Sequence, residues 1–447
     1  MSARPSHRPP AALLALAAAI AVALPGVAGA QSLKELYEAA RAYDATFLAA
    51  RSLAQSAEYR AEQAKALRRP SVALSGNARR DEIDPPVGDG TVSSNTWRGD
   101  LTGRLPLYNA TSDATIAQAL KNFDVAQADL ETAEQDLIVR VSGAYFDVLG
   151  AIDTLNAVRA NKAAITEQLA SAKRNFEVGT ATITDTREAQ ARFDLSSAQE
   201  IAAENDLRAK RIALDQLVGR TGVTPKPLAA PVQLPPLTPT SVEDWVTTAD
   251  GVHPIVRKAR LGLEVAKLET EKAKAGRLPT VDAVAGATAF NQRGSAILLS
   301  QSGTTTNLNV GVQMNWLLYA GGSIENRVKE TLLLEEKADS DVQAARRGVA
   351  QGTRVAYFGV QSGLAQVSAL EAAEASSKLA LEATQLGYRV GVRVNLDVLN
   401  ATTQLYSTQR DLAQARYNVI VGSLRLRQAS GQLAPVDVDV VDRLIAK

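Results

Sequence analysis

The chain has 447 residues, 49 of them Lys or Arg against 48 Asp or Glu, with 46% hydrophobic residues, 2 His and no Cys. Near-neutral charge without a long single-sign run excludes the electrostatic footprint of a nucleic-acid binder. Lack of Cys excludes thiol nucleophiles, disulfides and Cys-held metals, and His253 alone beyond residue 30 leaves His-centred triads nearly out of reach.

The first thirty residues read as a segment apart. Arg4, His7 and Arg8 precede an apolar stretch from Ala11 to Leu24 and a small-residue site Ala28-Gly29-Ala30, the three-part layout of a secretory signal peptide over residues 1–30. About 14 apolar residues fall short of the roughly 20 that a spanning helix needs. No Cys follows, so a lipid-anchored mature N-terminus is not expected. Taking Arg4 and Arg8 from 49 basic residues leaves 47, one fewer than the 48 acidic ones. A chain without Cys also avoids stray disulfides in an oxidising compartment. No later apolar run reaches spanning length, so residence in a membrane would have to come from β-strands.

The rest is one plan written twice. Asn175-Phe176-Glu177-Val178-Gly179-Thr180 is echoed by Gly387-Tyr388-Arg389-Val390-Gly391-Val392, a spacing of 212 residues (391 less 179). The same spacing carries Asp185 to Asp397, Ala144-Tyr145-Phe146 to Ala356-Tyr357-Phe358, and Gly219 to Gly431. Leu107-Tyr108 and Arg69-Pro70 find counterparts in Leu318-Tyr319 and Leu278-Pro279 at slightly shorter spacings, as expected when loops between them differ in length. These matches predict a first repeat over 31–222, a connector over 223–244, a second repeat over 245–431 and a C-terminal tail over 432–447. Pro225, Pro227, Pro231, Pro235, Pro236 and Pro239 keep the connector from continuing a helix. Each repeat reads as helix, strand, loop, strand, long helix, Gly turn, helix.

In the first repeat Trp97, Leu101, Leu105 and Leu107 alternate with Arg98, Asp100, Thr102 and Arg104; in the second, Leu308, Val310, Val312, Met314, Trp316 and Leu318 alternate with Asn309, Gly311, Gln313 and Asn315. Alternation over about 11 residues has the length and pattern of a transmembrane strand with a lipid face and a wet face. Residues 71–79 alternate more softly, and 281–290 do not alternate clearly. Trp97 and Trp316 are expected in interfacial aromatic belts, and residues 81–95 and 293–307, the latter with an apolar patch from Ala296 to Leu299, as exposed hairpin loops. A soluble sandwich would alternate equally well, but four strands in a mainly helical chain cannot close on themselves, and in lipid every edge must be paired. The barrel is therefore expected to be shared between copies. Two copies would give a filled interior and three a lumen, and the residues themselves leave the number open.

From residue 112 to 176 no Pro interrupts a run rich in helix formers. Roughly 65 residues at 1.5 Å each extend about 100 Å, beyond any ordinary domain. Leu130 and Leu137, with Ala126 and Ala133, lie at heptad spacing, and residues 322–388 repeat the plan. Such helices can roll into a tube or pack as a solid stalk, and periodicity does not separate the two. His253, ahead of Pro254, reads as a helix-start residue.

The passages 175–188 (NFEVGTATITDTRE) and 387–409 (GYRVGVRVNLDVLNATTQLYSTQ), the Leu-Tyr breaks and the Ala-Tyr-Phe triplets resemble the TolC family of outer-membrane efflux and type I secretion channels. The resemblance runs over essentially the whole mature chain. It implies a mainly α protein with a small β part: a homotrimer with a twelve-stranded transmembrane β-barrel, four strands per chain, continued by a long α-helical coiled-coil tunnel through the periplasm. The connector and C-terminal segment would form an equatorial region. It implies a passive conduit in the outer membrane of a Gram-negative bacterium, surrounded by outer-membrane lipid, with no enzyme activity, cofactor or metal. Its partners would be a periplasmic adaptor and an inner-membrane ABC or proton-driven transporter, with no nucleic acid.

By the same resemblance the tunnel closes through polar contacts near the two Gly turns, with Arg393 bonding Thr184 or Asp185 and Tyr388 bonding Asp185. Read by themselves, Thr184 is a candidate N-cap and Asp185 and Asp397 are first-turn carboxylates, each worth about 0.5–1 kcal/mol. A threefold axis would gather three copies of Asp397. At about 8 Å each pair repels by roughly 0.5 kcal/mol in water and about 2 kcal/mol at an effective dielectric of 20, so the constriction would prefer cations. Where the family often has a second acid one turn on, this chain has Asn400, which leaves tight block by multivalent cations open. No phosphate-binding loop is present to supply energy. A non-conducting trimeric coiled-coil stalk or surface structural protein is the rival reading, and it expects no ion conductance.

Overall fold

A computed structural model describes residues 30–84, 86, 90–294 and 302–446. The apolar stretch 11–24 and the patch from Ala296 to Leu299 lie outside them. The first repeat opens with α1 (Leu33–Tyr43) and α2 (Ala45–Lys65), each started by its own cap: Ser32 forms a capping box with Glu35, and the Asp44 carboxylate accepts the Phe47 N–H at 2.8 Å. Then come β1 (Ser71–Ile83), β2 (Val92–Tyr108), α3 (Ala110–Glu177) and α4 (Ile183–Val218). The second half runs α5 (Val242–Val252), which begins inside the expected connector 223–244, then α6 (Pro254–Ala275), β3 (Thr280–Gly294), β4 (Gly303–Asn315), α7 (Ser323–Arg389) and α8 (Asn395–Ala429), and α9 (Pro435–Asp442) follows. His253 starts α6 as expected: its Nδ1 accepts the Ile255 N–H at 3.1 Å and Pro254 fills the first helical position. At 68 and 67 residues, α3 and α7 are each about 100 Å long.

The strands form one antiparallel sheet in the order β1-β2-β3-β4, leaving β1 and β4 as edges. Register pairs Leu74 with Leu101, Gly103 with Ala285, and Ala285 with Val310. Because side chains alternate, this register sorts the sheet into two faces. One gathers Val72, Leu74, Trp97, Leu101, Leu105, Leu308, Val310, Val312 and Met314, all exposed. The other gathers Ser75, Asn77, Arg98, Asp100, Arg104, Asp282, Thr288 and Asn309, tied together by Arg98–Asp100 (2.8 Å), Thr288–Asp100 (2.7 Å) and Arg104–Asp282 (2.6 Å).

Residues 281–290 are a full strand whose alternation is muted because, after Val281, its apolar face carries only Ala283, Ala285, Ala287 and Ala289, while Val284 and Phe290 stand on the polar face. The expected loops are shorter than 81–95 and 293–307: the ladder continues to the Ile83–Val92 pair and to the Gln292–Gly303 pair, since polar residues extend a hairpin as readily as apolar ones. β4 stops at Asn315, so Trp316 lies below the sheet, where its indole N–H bonds the Arg277 carbonyl at 2.9 Å.

Toward the sheet α2, α3, α6 and α7 lie side by side, and toward the Gly turns α4, α3, α8 and α7 do. The main core lies between these levels, where α1, α3, α4, α8 and α9 meet around Leu137, Val141, Phe146, Leu214, Ile420 and Val438. Of the heptad residues, Leu137 and Ala126 are buried and Leu130 packs against the core. The repeated triplets pin the connector: the Tyr145 hydroxyl donates to the Lys226 carbonyl at 2.8 Å, and the Tyr357 hydroxyl to the Thr240 carbonyl. The connector in turn bonds the chain's end, Ala229 N–H to the Leu444 carbonyl and Ala446 N–H to the Pro227 carbonyl, both at 2.9 Å.

Candidate functional site

The α3–α4 and α7–α8 hairpins end together at the extremity opposite the sheet, and their turns share one backbone plan. Val178 N–H bonds the Arg174 carbonyl and Thr180 N–H the Asn175 carbonyl; Val390 N–H bonds Leu386 and Val392 N–H bonds Gly387 in the same way. Gly179 and Gly391 occupy the left-handed region, at φ 77° and 79°, where a Cβ would be strained.

The residues expected at the tip fall into separate groups within one protomer. The Asp185 carboxylate accepts the Thr182 N–H at 2.9 Å and the Thr182 hydroxyl at 2.7 Å, while Thr182 Oγ1 accepts the Asp185 N–H at 3.2 Å. Thr182, not Thr184, is therefore the N-cap. The capping box needs an acceptor three residues on, which Thr182 finds in Asp185 and Thr184 would meet as Arg187. Thr184 is an exposed first-turn residue. The Tyr388 hydroxyl accepts from Asn175 Nδ2 at 3.2 Å, and Arg393, just ahead of α8, pairs with Asp397 in its first turn at 3.5 Å. Asn400 Oδ1 accepts from Arg192 at 3.1 Å. Within the chain Arg393 and Tyr388 thus take partners other than Thr184 and Asp185.

Sequence reasoning missed Gln168, Asn175, Arg192 and Asn395. Gln168 donates to Asn395 Oδ1 at 2.5 Å, joining α3 to α8 just above the turns, and the buried Asn395 Nδ2 has no partner among the described residues. Asn175 and Asn395 stood inside the two quoted passages, whereas Gln168 and Arg192 look like any polar residue on a solvated helix. A small apolar cluster of Ile165, Leu169, Ala172, Ala189 and Leu399 holds the level above. Next to it Lys162 and Arg159 both bind Glu200, at 2.8 and 3.0 Å, and hold its carboxyl below the ordinary range.

This arrangement offers polar contacts that can be exchanged without making or breaking covalent bonds. Among the described residues no group of three or more His, Cys, Asp or Glu could hold a metal ion, and no helix is long and apolar enough to cross a membrane. Val178, Val390, Val392 and Val394 stand exposed around the turns.

Comparison with known proteins finds relatives over most of the chain. The family model described as outer membrane efflux protein matches residues 36–220 and 245–432. The chain is 31% identical to the outer membrane protein TolC of Vibrio cholerae over 92% of both chains. It is 32% identical to the alkaline protease secretion protein AprF of Pseudomonas aeruginosa, over 78% of this chain and 75% of that one. The crystal structure of the outer membrane protein VceC of Vibrio cholerae superposes with a TM-score of 0.73 at 19% identity, over 89% of this chain and 96% of that one.

Proposed function

Because the chain belongs to the outer membrane efflux protein family, we propose that its gate lies at the hairpin tips and is worked by Thr184, Asp185, Tyr388 and Arg393. The protein is an outer-membrane export channel of the TolC type, a trimer in which each chain contributes four strands to one barrel and its long helices to one tunnel. The observation that carries this reading is the two-faced open sheet. In lipid each unpaired edge group costs several kcal/mol, so β1 of one copy is expected to pair with β4 of the next. The helical layer follows the same logic, since α4 exposes Leu195, Ile201 and Ile212 at one edge and α7 exposes Leu333, Val355 and Leu379 at the other.

Closing contacts run within the protomer, Asn175 to Tyr388 and Gln168 to Asn395, and between neighbouring copies from Arg393 and Tyr388 toward Thr184 and Asp185. Breaking them lets α7 and α8 move outward. Asp397 and Asn400 of three copies line the constriction, where the Asp397 ring favours cations. Residues 31–222 and 245–431 act as the two repeats, 223–244 and 432–447 form a belt around the middle of the tunnel helices, and residues 1–30 are removed on export. The role calls for no catalysis and no cofactor. Energy comes from an inner-membrane ABC or proton-driven transporter, reached through a periplasmic adaptor.

The test is conductance in planar bilayers of the purified, cross-linked trimer. The Arg393→Ala and Tyr388→Phe double variant is expected to raise single-channel conductance severalfold with the trimer intact. Unchanged conductance removes these residues from the gate, and a particle that never conducts restores the solid-stalk reading.

A further inference from the structure

We propose that Val394 is a positioning residue for ion selectivity: by offering no cap to α8, it keeps the Asp397 carboxylate available to the pore. The inference rests on the reading of Asp397 as the constriction residue, and it comes from laying the two turns over one another. At the spacing of 212 residues, Ala181 corresponds to Arg393, Thr182 to Val394 and Asp185 to Asp397. The turn backbones are alike, so the differences that follow belong to side chains.

In the first turn both ends of the capping box are satisfied. Asp185 spends its carboxylate on the Thr182 N–H and hydroxyl, at 2.9 and 2.7 Å, and its own N–H goes to Thr182 Oγ1. In the second turn position 394 has no side-chain oxygen, and α8 starts without a side-chain cap. The Asp397 N–H falls back on the Val394 carbonyl at 3.1 Å. With no hydroxyl holding it, the Asp397 carboxylate reaches past the helix start to Arg393 at 3.5 Å, longer than a well-made charge-assisted bond. Two equivalent aspartates thus differ in duty. Asp185 is anchored to its helix start through one carboxylate oxygen, with the other left for a neighbouring copy, and Asp397 is a charge that a passing ion can feel, with Arg393 as its movable counter-charge.

Val394 is exposed, so a hydroxyl there displaces no core packing. Val394→Thr recreates the Thr-x-x-Asp spacing of the first turn and is expected to draw the Asp397 carboxylate back onto the α8 N-terminus. The measurement is the reversal potential of the purified trimer in asymmetric KCl. Asp397→Asn sets the floor of cation preference. Val394→Thr is expected to lower the cation-over-anion permeability ratio part of the way toward that floor, by less than the roughly twofold that deleting one unit charge at about 8 Å in water would cause, since a capped carboxylate is moved but keeps its charge. Val394→Ala, which adds no acceptor, is expected to keep the wild-type ratio and so separates the hydroxyl from the change in size. If Asp397→Asn lowers the ratio and Val394→Thr does not, the role of Val394 is overturned while the constriction stands. If Val394→Ala acts as strongly as Val394→Thr, capping is not the cause and the role is likewise overturned. If Asp397→Asn changes nothing, the constriction itself is misplaced and the inference falls with it.

Discussion

The same long helices are held in opposite ways at two levels. Around the connector α3 is gripped on several sides: Tyr145 and Phe146 are fully buried, Phe146 stacks on Tyr417 with ring centroids 5.6 Å apart, and Tyr145 bonds the connector. Arg140 holds Asp44 through two bonds of 2.9 and 3.0 Å. Further along α3, toward the turn, the apolar contacts shrink to Ile165, Leu169 and Ala172 beside the Glu200 ion pairs, and below them the ties are single polar contacts. A conduit that opens at one end needs this asymmetry, because segments that move are drawn from the regions with few buried contacts. On the proposed gating, the belt sets the global stability and the tip the ease of opening.

The largest expected effect comes from breaking the belt. Phe146→Ala removes a side chain that is 1% exposed at the centre of the main core and should cost about 3–5 kcal/mol. It should appear as a marked fall in Tm and in trimer yield. Leu399→Ala empties an equally buried position at the tip and sharpens the contrast. Its cost, about 2–3 kcal/mol locally, should appear as faster amide exchange at residues 165–200 and 390–405 and as higher conductance, with global Tm nearly unchanged. Equal Tm losses from the two variants would show that the helices melt as one unit.

An intermediate effect is expected at Asp44, which both caps α2 and binds Arg140. Asp44→Ala removes both contacts and leaves Arg140 with Asp136 alone, costing about 3 kcal/mol. The Arg140 guanidinium holds the Asp44 carboxyl below the usual range. Its contribution is therefore present above the ordinary carboxylate value near 4 and is lost as pH falls through the lowered one. Wild-type stability should fall more steeply than that of the variant in that acidic window, as followed by circular dichroism.

How much of this was legible before the fold was known depended on whether the signal was local. Leu308 to Met314 declared a strand because large apolar residues alternate with Asn and Gln, while residues 281–290 hid theirs because Ala residues fill the apolar face. The extent of α3 was legible because nothing in 110–177 breaks a helix. The cap of α4 was misplaced by two residues because Thr182 and Thr184 are equally able to cap, and only the acceptor three positions on decides between them. The contact of Asn175 with Tyr388 joins residues 213 apart and depends on how two hairpins lean together, which no local pattern records.

The smallest expected effect lies at the junction of belt and tunnel. His253 is buried, and burial lowers its pKa below the ordinary value, while Glu131, itself paired with Arg257, acts weakly the other way. The neutral ring is the form the helix needs, since Nδ1 accepts the Ile255 N–H that starts α6. A proton on that nitrogen would turn an acceptor into a donor facing another donor. Gly431 approaches closely on this side, since a Cβ there would lie 2.5 Å from the His253 Cα. With its folded pKa depressed, His253 contributes stability fully above about pH 6.5 and loses it as pH falls below that value. His253→Asn keeps an N-cap acceptor that cannot titrate. Between pH 7.5 and 5.5 the wild type should lose stability, by less than about 1 kcal/mol, and the variant should not. If the two slopes coincide, the junction takes its strength from the packing of Gly431 and Pro254 and not from the protonation state of the imidazole.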